Sequence, residues 1–122
     1  MTCDDADEPP TAEPPGEFDA YELVVLRWPE NRPPIDDELA DRLQAQHLGH
    51  LAAMREAGCL KVAGPLVEQP DESMRGLCLY KVGSLEEARR LAESDPAVRA
   101  GRLAVEVMAW YTAKGALSFP GT

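Results

Sequence analysis

The segment most telling for the architecture runs from Ile35 to Gly58 and reads IDDELADRLQAQHLGHLAAMREAG. Acids occupy its first turn, where the helix macrodipole favours negative charge, and a glycine follows it as a common C-terminal cap. The pattern predicts a helix over residues 35–57 whose two histidines face inward. At about 100° per residue, one stripe of this helix carries Leu39, Leu43, His47, His50, Leu51 and Met54.

Four shorter segments around this helix have the composition of β-strands. The run from Tyr21 to Trp28 is aromatic and β-branched, which favours a strand buried on both faces. Residues 59–67 and 74–82 predict two more strands, paired as a hairpin across the turn-forming residues 69–72. Residues 103–111 alternate between two apolar faces and predict the last strand.

Two capping signals predict the remaining helices. Ser84 and Glu87 form a Ser-x-x-Glu capping box, which begins a helix that we expect to end near Ser94. Asp95 is followed by a proline, a pair typical of an N-cap and the first position of a helix. We therefore expect a short helix here, closed by Gly101.

The resulting order β-α-β-β-α-β is that of the ferredoxin-like α+β fold, a four-stranded antiparallel sheet with two helices on one face. Helices on one face leave the other uncovered. Yet the first strand is apolar on both faces, and Met108 and Trp110 lie opposite Val105 and Val107 on the last strand. We therefore expect a homodimer that forms through the open sheet face, where one patch serves as its own partner.

The charge of the chain is unevenly distributed. The formal net charge of its 122 residues is −10, but residues 1–19 hold no Lys or Arg, and the remainder is close to balance. We expect residues 1–19 to be a disordered acidic, proline-rich tail, residues 20–114 the folded domain and residues 115–122 a C-terminal extension. No basic cluster indicates a nucleic-acid partner.

Other sequence features indicate where the protein works and what it binds. No apolar run is long enough for a membrane span and no secretory signal is present, so we expect a cytoplasmic protein with no membrane partner. Cys3, Cys59 and Cys78 are odd in number and widely spaced, which favours packing residues over a disulfide framework. The absence of Walker and GxGxxG motifs removes the usual nucleotide signatures, and we expect no cofactor.

The order and spacing of several short motifs make the chain resemble the YCII-related (YciI-like) proteins, which are small dimeric α/β-barrel proteins. The resemblance covers about Phe18 to Ala113. It implies a ferredoxin-like domain that dimerises into an α/β barrel. The motifs are His47-Leu48-x-x-Leu51, then Gly58, Gly64-Pro65, Ser94-Asp95-Pro96 with Ala100-Gly101, and Val105-Glu106-Val107 leading to Trp110.

The resemblance also implies a site. In that family the helix histidine and the Asp of the Asp-Pro pair are the proposed active-site couple, in a pocket between helices and sheet, and here they correspond to His47 and Asp95. Members often carry an Arg three residues before the histidine, where this chain has Gln44, so an arginine-dependent anion site is not carried over. The residues that we expect to line the pocket are His50, Gly64, Pro65 and Ser94.

Simpler interpretations exist for the same residues. His47 is also explained as a hydrogen-bonded core histidine and Asp95 as a helix cap, although one carboxylate can fill both roles. His47, His50 and Asp95 could supply three metal ligands, but zinc sites usually have more ligands at tighter spacing, and we expect no metal. Glu106 is interpreted as an edge residue, because a lone Glu is rarely buried.

The leading functional hypothesis is cofactor-free proton transfer, of lyase or isomerase type, on a small polar organic molecule. His47 would be the general acid and base, and Asp95 would orient it. The alternative is a non-catalytic metabolite-binding or regulatory homodimer that uses the same pocket. A cofactor-independent monooxygenase is a third hypothesis, suggested by analogy between dimeric barrels alone.

Overall fold

The protein forms one antiparallel sheet covered by helices on one face, as seen in a computed structural model that describes residues 16–120. The sheet order is β2-β3-β1-β4, with every neighbouring pair antiparallel. This is the ferredoxin-like α+β arrangement, which confirms the predicted fold class. In chain order the elements are β1 (Phe18–Arg27), α1 (Asp37–Glu56), β2 (Leu60–Pro65), β3 (Met74–Tyr80), α2 (Leu85–Glu93), α3 (Pro96–Arg99) and β4 (Ala104–Ala113).

The boundaries of the folded domain differ slightly from those expected. β1 begins at Phe18, which pairs with Ala113 of β4, so residues 18 and 19 belong to the sheet rather than to the tail. Asp19 has a structural role there, because its carboxylate accepts the backbone N–H of Gly115 at 2.9 Å. Composition alone assigned these residues to the tail because it does not reveal this long-range pairing. Residues 1–15 of the predicted tail lie outside the described residues.

Side-chain caps fix where the helices begin. The carboxylate of Asp36 accepts the N–H of Leu39 at 2.8 Å, and the hydroxyl of Ser84 accepts the N–H of Glu87 at 2.9 Å. Each bond satisfies one of the backbone donors that a helix start leaves without a partner. The Ser84 cap is buried, so the start of α2 is anchored at the edge of the core.

The core lies between the helices and one face of the sheet. Its buried residues come from β1, β2, β3 and α2 and from the positions next to β2 and β3. In α1 the buried residue is His47. Cys78 is a free buried thiol, as expected of a packing residue. Cys59 is buried too, but it is disulfide-bonded, which corrects the expectation of a free thiol. The core cluster consists of Val24, Leu26, Cys59, Leu60, Cys78, Tyr80, Val82, Ala88, Leu91 and Ala92.

The opposite side of the sheet is apolar and open. Trp110 is 43% exposed, Met108 40% and Val62 50%, and together with Leu23, Leu77 and Leu79 these residues form what we call the open sheet face. Phe119 from the chain end packs beside Tyr21, with their ring centres 6.2 Å apart. The sheet of a single chain is therefore not a closed barrel. No helix within residues 16–120 has both the length and the apolar character needed to cross a membrane.

We expect Ser84→Ala to lower the free energy of unfolding by about 1 kcal/mol, because the N–H of Glu87 loses its acceptor in a buried place. Urea unfolding of the variant and the wild type measures this difference. Ser118→Ala is the matched control, since Ser118 is exposed and the change should stay within about 0.5 kcal/mol of wild type. Equal losses for the two variants would contradict a stabilising cap.

Candidate active site

The fold brings His47 and Asp95 into contact, although 48 positions separate them in sequence. Nδ1 of His47 lies 2.5 Å from Oδ2 of Asp95. The His47 side chain is 11% exposed and that of Asp95 2%. Because an ionised carboxylate only accepts hydrogen bonds, the ring donates its Nδ1–H to Asp95. Nε2 is then the ring nitrogen available for proton exchange with a bound molecule.

Asp95 performs its two expected roles at once. Its Oδ1 accepts the N–H of Ala97 at 2.9 Å and so caps α3, while its Oδ2 receives His47. The proline that follows starts the helix at a position where a missing N–H costs nothing. The carboxylate is thus held by the backbone of α3, and the imidazole of α1 is held by the carboxylate. This arrangement fixes both the tautomer and the direction of the ring.

A cavity of about 460 Å³ lies against His47, between α1 and the end of the sheet formed by β2 and β3. Gly64 and Pro65 line it, and Gln44 contributes from the turn of α1 before the histidine. Most of the remaining wall is aliphatic. The volume falls within the range of sites that enclose small organic molecules.

The structure does not place His50 or Ser94 in the wall of this cavity. Ser94 ends α2, and its hydroxyl donates to the carbonyl of Leu91 at 2.6 Å. His50 is half-buried one turn beyond His47, and its Nε2 is buried with no hydrogen-bond partner among the described residues. Burial lowers the pKa of His50 below its ordinary value of 6.5, and the nearby charge of Asp95 opposes that shift. His50 therefore acts as a neutral residue beside the site.

Arg75 lines the cavity and was missed by the sequence reasoning. The pairing of β1 with β3 shifts register between Leu26 and Arg27, so that Leu26 pairs with Gly76 and Arg27 with Met74. Arg75 is the extra residue between these pairs. Such a bulge turns a side chain away from the direction that simple alternation gives it. No motif in the sequence signalled the bulge.

Two other polar side chains near the site, Cys78 and Glu106, have structural explanations. Cys78 lines the cavity, and burial raises the pKa of its thiol to about 12, so it is a neutral thiol at ordinary pH. Glu106 is half-exposed at the sheet end, where it pairs with Arg27, in agreement with the interpretation as an edge residue. Within residues 16–120, no three His, Cys, Asp or Glu side chains are grouped so that they could hold a metal ion.

The fold and the paired histidine and aspartate define a small α+β domain with a candidate acid–base site. A family model described as YCII-related domain matches residues 9–111, and the chain belongs to this family. A comparison with curated proteins found no match.

A solved structure shares the fold. It is 5-chloro-2-hydroxyhydroquinone dehydrochlorinase (TftG) from Burkholderia phenoliruptrix AC1100, in complex with 2,5-dihydroxybenzoquinone. The two chains are 19% identical, with a TM-score of 0.54, and the match covers 74% of this chain and 92% of the other. At this identity the likeness concerns the fold.

The lowered pKa of His50 predicts a pH-dependent stability. Because burial keeps the folded-state pKa below the ordinary value, the unfolded chain binds a proton more readily, and the free energy of unfolding should fall as the pH drops from about 7 to about 5. In His50→Gln this contribution is absent, so the variant should lose less stability over the same range. Urea unfolding at several pH values measures both slopes.

Gln46→Ala, an exposed change on the same helix, should keep the wild-type slope. Equal slopes for His50→Gln and the wild type would show that burial of this imidazole has no effect on the titration of the folded protein.

Proposed function

We propose that the protein catalyses cofactor-free proton transfer, of lyase or isomerase type, on a small organic molecule bound beside His47. The contact between Nδ1 of His47 and the buried Asp95 carries the proposal, because it leaves Nε2 of a cavity-lining imidazole as the available base. A histidine oriented by a carboxylate is the simplest apparatus for general acid–base chemistry near neutral pH.

The proposed steps use the groups of this chain alone. Nε2 of neutral His47 takes a proton from an acidic C–H or O–H of the bound molecule, and the negative charge of Asp95 stabilises the imidazolium that forms. The imidazolium then returns the proton to a different atom of the same molecule, which is an isomerisation, or to a departing group, which is an elimination. Each cycle restores neutral His47.

Cys78 is the other side chain of the cavity wall that could react with a bound molecule. It shares the cavity wall with His47, so nucleophilic attack by a Cys78 thiolate would be a competing mechanism. Burial raises its thiol pKa to about 12, which keeps it protonated and weakly reactive at neutral pH. The imidazole is therefore the better candidate for chemistry in this cavity.

We expect His47→Gln to reduce turnover by about 10²- to 10⁴-fold, because the cavity loses its base while keeping a polar side chain of similar size. The measurement is a screen of small enolisable and phenolic compounds for isomerisation, elimination or solvent deuterium uptake by the wild type, followed by kinetics of the variant on each active compound. Gln46→Ala, an exposed neighbour, is the matched control and should retain wild-type rates.

Asp95→Asn tests whether the tautomer of His47 matters for turnover. The amide can still cap α3 through its oxygen, but its NH₂ group then donates to Nδ1 and shifts the ring hydrogen to Nε2. Turnover should fall as it does in His47→Gln, and nitrogen NMR should show the changed tautomer. A wild type that binds compounds from the screen without converting any of them, with binding altered in His47→Gln, would instead support the non-catalytic metabolite-binding alternative.

We also propose that the working form is a homodimer joined through the open sheet face. Large apolar side chains that remain about half exposed on one continuous surface are costly to leave in water, and Trp110 and Met108 lie on that surface. A twofold axis lets the same patch cover its own copy, which would turn two open sheets into one barrel.

The dimer is tested by Trp110→Glu, which places a charge at the centre of the contact. Light scattering should give twice the chain mass for the wild type and a single chain mass for the variant. Val67→Glu is the control, since Val67 is 77% exposed and lies outside the open sheet face. A wild type with the mass of one chain at micromolar concentration would refute the proposed dimer.

A further inference from the structure

We propose that the cavity beside His47 binds a small organic carboxylate, and that Arg75 and Arg32 around Trp28 form the cationic end of that site. The inference names the ligand class of the site used in the proposed function and therefore rests on it. Three observations support it: Arg75 lines the cavity, Arg32 stacks on the same tryptophan ring, and most of the remaining wall is apolar.

The bulge in β3 places Arg75 in the wall of the cavity. Its Cζ lies 3.8 Å from the centre of the Trp28 ring, and its Nη1 donates to the carbonyl of Glu72 at 2.9 Å. Stacking and one hydrogen bond hold the planar group in place. An arginine has five N–H donors, so a guanidinium fixed in this way still offers donors to a bound anion.

Arg32 approaches the same indole ring. Its Cζ lies 3.9 Å from the centre of Trp28, so two guanidinium groups share one aromatic side chain. Two positive charges this close repel each other, and a bound anion would relieve the repulsion. Arg32 lines a smaller neighbouring hollow, which shares Trp28 and Gln44 with the cavity that Arg75 lines.

No carboxylate within residues 16–120 lies within 4.0 Å of the Arg75 or Arg32 guanidinium. Four other arginines of the same region have an acidic partner, whereas Arg55, Arg99 and Arg102 have none within that distance either. What sets Arg75 and Arg32 apart from these three is that both stack on the same indole ring, beside the cavity. The four paired arginines are Arg27, Arg42, Arg89 and Arg90.

The rest of the wall indicates the body of the ligand. Apart from His47, Gln44 and Arg75, the side chains around the cavity are apolar or carry the neutral thiol of Cys78. Such a wall favours a molecule with one charged end and an apolar body. A carboxylate fits a guanidinium fork through two parallel N–H···O bonds, which point-like anions do not fill as well. The body of the molecule would then lie along the wall that includes His47.

The arrangement also accounts for Gln44. Family members often carry an arginine at this position of the helix, so the helix of this chain lacks that cation. Arg75 lines the same cavity from the opposite wall, on β3. The cationic group is thus supplied by the strand rather than by the helix.

The test compares benzoate with benzamide, which has the same shape but no charge. Each is titrated into the full-length protein while the indole N–H signal of Trp28 is followed by NMR. We expect saturable binding of benzoate and binding of benzamide weaker by at least about tenfold. Arg75→Gln should weaken benzoate binding by a similar factor and leave benzamide unchanged. Arg55→Gln removes an exposed positive charge elsewhere and should change neither.

Three results would overturn the inference: no saturable benzoate binding, equal affinity for the two compounds, or wild-type benzoate affinity in Arg75→Gln. If Arg75→Gln does not fold, the wild type alone decides, because raising the salt concentration should weaken benzoate binding and spare benzamide. His47→Gln separates the two proposals. If His47→Gln loses turnover but keeps benzoate binding, both proposals stand. If the protein binds benzoate but His47→Gln turns over like the wild type, or the wild type converts no compound, the anion site stands and the catalytic role fails. If His47→Gln loses turnover but Arg75→Gln binds benzoate like the wild type, the catalytic role stands and the anion site fails.

Discussion

One buried carboxylate organises this molecule. One oxygen of Asp95 accepts a backbone N–H of α3, and the other accepts the Nδ1–H of His47 on α1. This single side chain therefore links the two helices. Burying a charge is costly unless it is fully hydrogen-bonded, and these two bonds offset that cost. The direction of the His47 ring follows from this contact, and the cavity lies against that ring.

The two histidines of α1 show how position decides chemistry. They lie three residues apart on one face of the helix, yet only His47 meets the carboxylate. His50 receives burial without a partner for Nε2, and its pKa is lowered as a result. A neutral imidazole beside the pair adds no competing positive charge near Asp95. The helix therefore presents one imidazole to the cavity and leaves the other half-buried beside it.

Much of this could be predicted from sequence, because local signals agree with the fold. The Asp-Pro pair indicated the cap of α3, Ser84 indicated the start of α2, and the apolar stripe placed His47 inward; only the family resemblance linked His47 to Asp95. Arg75 could not be predicted, because a register shift between two strands re-aims it and no local pattern marks that shift. The same holds for residues 18 and 19, whose strand pairing depends on the far end of the chain, and for His50, since a helical stripe does not say which of its residues reaches a cavity.

The contacts made by residues 112–119 matter for the choice of where to shorten this chain. The family match stops at residue 111, but β4 continues to Ala113, the N–H of Lys114 donates to the carbonyl of Glu17, and Phe119 packs on Tyr21. Shortening the protein to the matched region would strip backbone partners from the first residues of β1 and uncover an aromatic ring beside the open sheet face. A fragment limited to the family match would have unpaired backbone groups at the start of β1 and more exposed apolar surface than the full chain, so it would aggregate more readily. Aggregation of such a fragment would say nothing about the behaviour of the whole chain.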